Sequence, residues 1–413
     1  MTNRPVGWRC PFILLLCVGL GGGLACGSEL SGLASLARSI LGADQGVYVE
    51  AADGTLLLAQ AATVPVHPAS VSKVPTTLAL LRKLGPEYRF ITTFAASGPV
   101  HNGTVDGDLL VEGGGDPYFV DENALLVAQR LNESGVHRVV GVLRPRGPLL
   151  FNWQQDGAAG QLQRALSGQV SVSAWTLVQS LSPALQSPPA LQFDGATARM
   201  PPRAQSTGST APLLVHQSQP LISLIKSLND YSNNVFKPLA DAAGGAVAVE
   251  SLARESVPES MRSEITLGDG AGTDARNRLS PRAAVKLLRA LERELSLSNH
   301  TLVDVLPVSG VDAGTLHDRL NGPAETGRIV GKTGTFGDYG ASALIGAIST
   351  SDRGTVYFAI LNHGVPVSVA RTRQDQFLRA LLAQLNTLPW SYQPDLRPAV
   401  ARAQALLVDT SAH

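Results

Sequence analysis

The chain has 413 residues, 44% apolar and 5% aromatic, with 33 basic side chains balancing 33 acidic ones. That length exceeds one ordinary core, so two domains, or one domain carrying a large insertion, are expected. The composition is that of a globular protein, and the balanced charge, with no charge block or acidic tail, leaves no electrostatic case for nucleic acid as a partner.

The chain opens with Arg4 and Arg9, an apolar run over 12–20, and three glycines at 21–23. A membrane-spanning helix needs about 20 continuous apolar residues, and this run stops short. It reads as a secretory signal over 1–25, cut between Ala25 and Cys26 after the small residues Gly23-Leu24-Ala25. Cys26 would then lead the mature chain in a setting that resembles a bacterial lipoprotein box and offers a lipid anchor. Export to the periplasm or cell envelope follows. Cys10, Cys17 and Cys26 are the only cysteines, so the mature domain has no internal pair to oxidise.

Leu30, Leu33, Leu36, Ala37, Ile40 and Leu41 form one helical stripe. A hairpin follows, with strands over 46–50 and 55–59 around Asp53-Gly54. Val74, Leu78 and Leu81 predict a helix from Ser70 to Leu84, whose start near Ser70 is set by Pro75 in its first turn. From 92 to 214 short strands, turns and Pro, Ser and Gln prevail, which reads as an inserted smaller domain. Within it a βαβ-like stretch runs through 108–112, a helix near 121–134 and a strand over 138–142, and 201–211 reads as a linker. Helices resume over 219–242, 281–295 and near 299–305. Strands over 328–332, 342–347 and 355–361 suit an antiparallel meander, and a closing helix places Phe377, Leu378, Leu381, Leu382 and Leu385 on one face. The expected division is a signal over 1–25, a discontinuous main domain over 26–91 and 215–386, the insertion over 92–214, and a tail over 387–413. The fold class is α/β (α+β), an antiparallel sheet flanked by helices.

Chemistry concentrates in three short motifs, Ser70-Val71-Ser72-Lys73, Ser232-Asn233-Asn234 and Lys332-Thr333-Gly334-Thr335. Alone each is weak. Ser223-Leu224-Ile225-Lys226 and Ser227-Leu228-Asn229 repeat the first two patterns inside one helical stretch and read as packing or surface positions. Taken together and in order, at a helix start, an inter-helix turn and an edge strand, they point to a serine acyl-transfer enzyme. Residues three apart share a helix face, so Lys73 can reach the Ser70 hydroxyl and serve as its base. An ammonium cannot take a proton, so Lys73 needs a lowered pKa, from burial and from a second cation such as Lys332. Ser232 can relay a proton to the leaving group, and Asn234 can hold Lys73 or a substrate amide. Lys332 can present charge to a carboxylate, Gly334 lets a ligand backbone approach, and Thr335 can lend its N–H to an oxyanion. The eight histidines show neither metal-ligand spacing nor a Ser-His-Asp pattern, so His67 reads as structural and no metal or cofactor is expected.

Pro68-Ala69-Ser70-Val71-Ser72-Lys73, Gly114-Gly115-Asp116-Pro117, Tyr231-Ser232-Asn233-Asn234, the run from Leu306 to Leu316, and Gly331-Lys332-Thr333-Gly334-Thr335 resemble the D-alanyl-D-alanine carboxypeptidase/endopeptidase family, the class C low-molecular-mass penicillin-binding proteins. The resemblance spans about residues 45–385. It implies a penicillin-recognising transpeptidase/β-lactamase-like domain with an insertion, acting on peptidoglycan stem peptides as a serine DD-carboxypeptidase, with DD-endopeptidase action on crosslinks as a second activity. β-Lactam antibiotics would be covalent inhibitors. By resemblance Ser70 is the nucleophile, Lys73 the base and Ser232 the proton relay, with Asn234, Lys332, Thr333, Gly334 and Thr335 lining the substrate site. Asn152 to Gln192 departs from the family's inserted subdomains, and Asp269-Gly270-Ala271-Gly272-Thr273 stands where Asp-Gly-Ser-Gly-Leu is usual. Two rivals remain on the sequence alone: a β-lactamase of the same fold, for which no Glu-x-x-Leu-Asn element is present, and an idle wall-binding scaffold.

Overall fold

The computed structural model describes residues 23–195, 211–230, 235–337 and 340–408. The described helix α1 (Gly23–Leu41) leads into the hairpin β1 (Gly46–Ala51) and β2 (Leu56–Gln60). Helix α2 (Lys73–Leu84) is preceded by a 3-10 turn over Ala69–Ser72. The helix expected from Ser70 is therefore split. Pro75 has no N–H to give the Val71 carbonyl, so the turn before the regular ladder is free to tighten.

The next elements build a second lobe. Strands β3 (Ile91–Ala96) and β4 (Leu109–Glu112), helix α3 (Asp121–Glu133), and strands β5 (Leu143–Arg146) and β6 (Ala211–Gln217) precede the return to the first lobe through α4 (Leu221–Asp230), α5 (Phe236–Ala242) and α6 (Pro281–Ser296). The meander is β7 (Ile329–Phe336), β8 (Ala341–Thr350) and β9 (Gly354–His363), followed by α7 (Val367–Gln384) and the short strands β10 (Thr387–Leu388) and β11 (Gln404–Leu407).

The main sheet runs β7-β8-β9-β1-β2 with β10 on β8, antiparallel throughout the described pairings. Nearly all of β8 is buried because both faces are covered. Leu344 and Ile348 pack with Phe358, Phe377 and Leu381 beneath α1 and α7. The alternate residues Ala343, Ile345 and Ala347 join Val74, Leu78, Phe236 and Leu288 beneath α2, α5 and α6. The period-2 alternation of a strand thus feeds two cores at once. Glu50 of β1 is buried and receives Lys286 and Arg289 from α6, with the Tyr48 hydroxyl donating at 2.6 Å, which ties that helix to the sheet.

The second sheet runs β11-β6-β3-β4-β5, with β4 and β5 parallel. Its core holds Phe94, Leu109, Val111, Leu131, Phe151 and Leu162.

Several sequence readings shift. The strand parallel to β4 is 143–146, because Arg138–Val139 turns aside to pair with Thr104–Val105. The expected helix near 299–305 is a 3-10 turn over Leu302–Asp304. The boundary at 214 falls inside β6, and the stretch read as a tail from 387 supplies β10 to one sheet and β11 to the other. Residues 1–22 of the leader, the Cys26 side chain and 201–210 of the linker lie outside the described residues.

Phe377 is fully buried between α7 and the sheet. Truncation to Ala removes that packing and leaves a void, which costs about 3–5 kcal/mol. Denaturant unfolding of Phe377→Ala should show that loss, and a change below about 1 kcal/mol would contradict the packing described.

Candidate active site

Ser70 sits in the 3-10 turn, at the end of a strained approach. Ala69, just before it, has φ +49, in a region that side-chain-bearing residues avoid at a cost of about 1–3 kcal/mol. His67 holds it there. The Ala69 N–H donates to His67 Nδ1 at 3.1 Å, and His67 Nε2 lies 3.0 Å from the Asp274 carbonyl, so Nε2 carries the proton. Burial lowers the His67 pKa and favours this neutral form. The ring also stacks on Phe336 of β7 at 3.9 Å. His67 is structural, as expected, although its structural task lies next to Ser70.

Gly272 closes the other side of that turn. With φ +87, its missing Cβ would stand 1.9 Å from the Ala69 carbonyl oxygen.

In a 3-10 turn residues i and i+3 eclipse. Lys73 therefore stacks over Ser70, and its Nζ lies 2.7 Å from the Ser70 Oγ. Ser70 lies inside the 3-10 turn, and the N-cap positions of the two helical segments are Pro68 and Ser72. Lys73 is itself fully buried, donates to the Ala271 carbonyl at 2.8 Å, and lies 5.6 Å from the centre of the Phe236 ring. Burial lowers its pKa from 10.5 to about 8, against the opposing pull of Asp269. Burial also pushes the Asp269 carboxyl up, but hydrogen bonds from Thr273, Asn277 and the Gly272 N–H outweigh it and hold the group ionised.

Strand β7 passes alongside. A Cβ on Gly334 would meet the Pro68 carbonyl oxygen at 2.8 Å and the Ser70 nitrogen at 3.0 Å, so glycine lets the strand lie against the nucleophile's backbone. Thr333 donates to the Thr315 hydroxyl at 2.8 Å, while the Thr315 N–H donates to the Asp230 carbonyl at 3.0 Å. The stretch around Pro307 and Ser309 covers the outer edge of β7 as far as Gly331. Thr335 is exposed, and its hydroxyl accepts from Arg371 of α7 at 2.7 Å.

Lys332 departs from its expected task. It is fully buried, its Nζ donates to the Thr333 carbonyl at 3.1 Å, and burial followed by repulsion from Lys73 holds its pKa well below 10.5, with Asp230 opposing. The repulsion expected to lower Lys73 thus acts on Lys332, the more deeply enclosed amine, while burial alone lowers Lys73.

Ser232 and Asn234 lie outside the described residues. Their flanks end α4 at Asp230 and begin α5 at Phe236. The repeated patterns at 223–229 are indeed packing positions of α4, where Lys226 donates to Asp312 and to the Leu306 carbonyl.

Asp269, the Ala271 carbonyl, Thr315 and Arg371 complete the site, and sequence reasoning assigned none of them a role. The run 269–273 was visible only as a family signature, and Arg371 carries no local motif at all.

A model of the D-Ala-D-Ala carboxypeptidase 3 (S13) family matches residues 31–145 and 190–384. The chain belongs to this family. It is a serine-type D-Ala-D-Ala carboxypeptidase, a hydrolase of the cell-wall-acting penicillin-binding group, as the motifs implied. The unmatched stretch 146–189 overlaps the segment that departs from the family in sequence. Carboxypeptidase DacB of Mycolicibacterium smegmatis is 27% identical over 372 residues, covering 80% of this chain and 78% of that one. Among solved structures, the penicillin G-acylated predatory endopeptidase Bd3459 of Bdellovibrio bacteriovorus, in complex with immunity protein Bd3460, superposes with TM-score 0.73 at 23% identity, covering 85% of this chain and 96% of that one. Penicillin-binding protein 4 (dacB) of Haemophilus influenzae gives 0.62 at 19%, covering 86% and 99%. At these identities both share the fold.

Replacing Gly334 by Ala sets a methyl against backbone atoms of Pro68 and Ser70 that cannot yield. Displacement of the nucleophile by a fraction of an ångström should slow acylation by a penicillin about 10-fold to 100-fold. Stopped-flow acylation checks this, and an unchanged rate would show that β7 does not set the position of Ser70.

Proposed function

We propose that Ser70 is the acylating nucleophile and Lys73 its base in hydrolysis of D-alanyl-D-alanine ends of peptidoglycan stem peptides, and that the same site opens crosslinks as a DD-endopeptidase. The observation that carries this reading is the 2.7 Å contact between Lys73 Nζ and Ser70 Oγ, made by an amine whose burial favours its neutral form. As an ammonium, Lys73 donates across that contact. Once neutral it accepts, and Ser70 can surrender its proton while Oγ attacks the carbonyl of the penultimate D-alanine. The Ser70 and Thr335 N–H groups are assigned to the oxyanion of the tetrahedral intermediate. The proton then passes through Ser232 to the departing amine, D-alanine leaves, and water hydrolyses the Ser70 ester.

In this reading Asn234 holds Lys73 or the substrate amide. Thr333, Gly334 and Thr335 line the peptide site, where a stem peptide in extended form adds to the edge of β7 beyond Gly331, with the buried Lys332 beneath them. A β-lactam acylates Ser70 by the same attack. We assign residues 91–217, which take in the whole of β3 and β6, to an inserted domain. We also assign residues 1–25 to an export signal and Cys26 to a lipid anchor, which puts the enzyme on the periplasmic face of the envelope beside its substrate.

Incubation with a fluorescent penicillin tests the reading. A stable label on the wild-type protein that is lost in Ser70→Ala is expected. Rapid release of the label would favour a β-lactamase, and no label at all would favour an idle scaffold.

A further inference from the structure

We propose that Arg371 is the cation that receives the α-carboxylate of the leaving residue, a role the sequence suggests for Lys332. The inference rests on the reading of Ser70 as nucleophile. Four observations support it.

Lys332 cannot meet an anion from solvent as it stands. It has no exposed surface, and its amine is turned onto the Thr333 carbonyl of its own strand. Arg371 reaches the same strand from α7, over the sheet face opposite Lys332. Its Nη2 reaches the Thr335 hydroxyl at 2.7 Å, one residue beyond Gly334, where β7 touches the Ser70 backbone. A guanidinium in that position stands at the exposed end of β7, one residue from the glycine that faces Ser70.

Arg371 is also an exposed cation whose neighbouring acid is already engaged. Asp375, one turn along α7, accepts from Arg319 at 2.7 Å, and Gln374 accepts from the same guanidinium at 3.0 Å. Partial burial, followed by repulsion from Arg319, lowers the Arg371 pKa, with Asp375 opposing. Its hydrogen bond to Thr335 uses one of five N–H donors, which leaves the planar fork able to take both oxygens of a carboxylate. Finally, the leaving residue in terminal trimming is D-alanine, which bears a carboxylate next to the departing amine, the planar group that a guanidinium pairs with. Lys is a poor substitute for Arg here, because a point charge cannot reproduce the two parallel bonds while keeping Thr335.

The test compares an acyl-D-alanyl-D-alanine peptide with its C-terminal amide, measuring kcat/KM for wild type, Arg371→Gln and Arg371→Lys. Wild type should prefer the acid. In Arg371→Gln the acid-to-amide ratio should fall about 30-fold, with Arg371→Lys between the two. Equal losses on acid and amide would assign Arg371 a purely structural role and overturn the proposal, as would an unchanged ratio. Wild type that cleaves neither peptide and takes no penicillin label would refute the nucleophile reading, and the carboxylate site with it; wild type that takes the label yet shows no preference for the acid would refute the carboxylate site alone. Labelling by fluorescent penicillin in the same preparations separates that outcome from loss of Arg371 function alone.

Discussion

The site depends on an amine being kept out of water beside a hydroxyl. Lys73 is enclosed by the Phe236 ring, the Ala271 carbonyl and its own helix, and among the described residues its remaining polar contact is Ser70. Moving its pKa from 10.5 to about 8 corresponds to about 3 kcal/mol against the ammonium. At neutral pH that raises the share of free base about 300-fold, from a few molecules in ten thousand to roughly one in ten. A serine has no other base within reach of its proton among the contacts described, because His67 is occupied by the Ala69 N–H and the Asp274 carbonyl.

The rest of the fold can be understood as the apparatus that maintains this contact. The 3-10 turn aligns Ser70 and Lys73, Gly272 and His67 hold Ala69 in its strained conformation, and β7 closes against the same turn through Gly334. Each depends on a large core. The 3-10 turn and α2 are anchored beneath the sheet by Val71, Val74 and Leu78, and β7 is one strand of an antiparallel sheet buried on both faces. Strain at one residue persists because many packed neighbours fix it. The C-terminal strands β10 and β11 join both sheets, so the second lobe is held by its own connections and by this returning segment.

Much of this was legible in the sequence. Periodicity located the C-terminal part of α1, the β1–β2 hairpin, α6 and the meander within a few residues, since their apolar spacing reports which side is buried. The Ser70–Lys73 pairing followed from helical geometry alone, and the 3-10 form only tightened it. What escaped has physical causes. The strand expected over 138–142 shrinks to Arg138–Val139 and pairs with Thr104–Val105, because a β-branched run satisfies local propensity, whereas pairing is decided by partners elsewhere in the chain. The C-terminal strands are short and half exposed, so they carry almost no pattern. The depth of Lys332 depends on layers above and below β7, and a strand sequence does not reveal how many layers cover it. Arg371 reaches the site from a helix tens of residues further along, and no spacing rule links it to Thr335.

The pH dependence of Ser70 acylation by a β-lactam at saturating buffer tests the central claim most directly. Because the reactive form is the free amine, the rate should rise as pH increases through a midpoint near 8 and level off above it. A midpoint near the ordinary lysine value of 10.5, or a rate indifferent to pH, would contradict the assignment of Lys73 as a buried base.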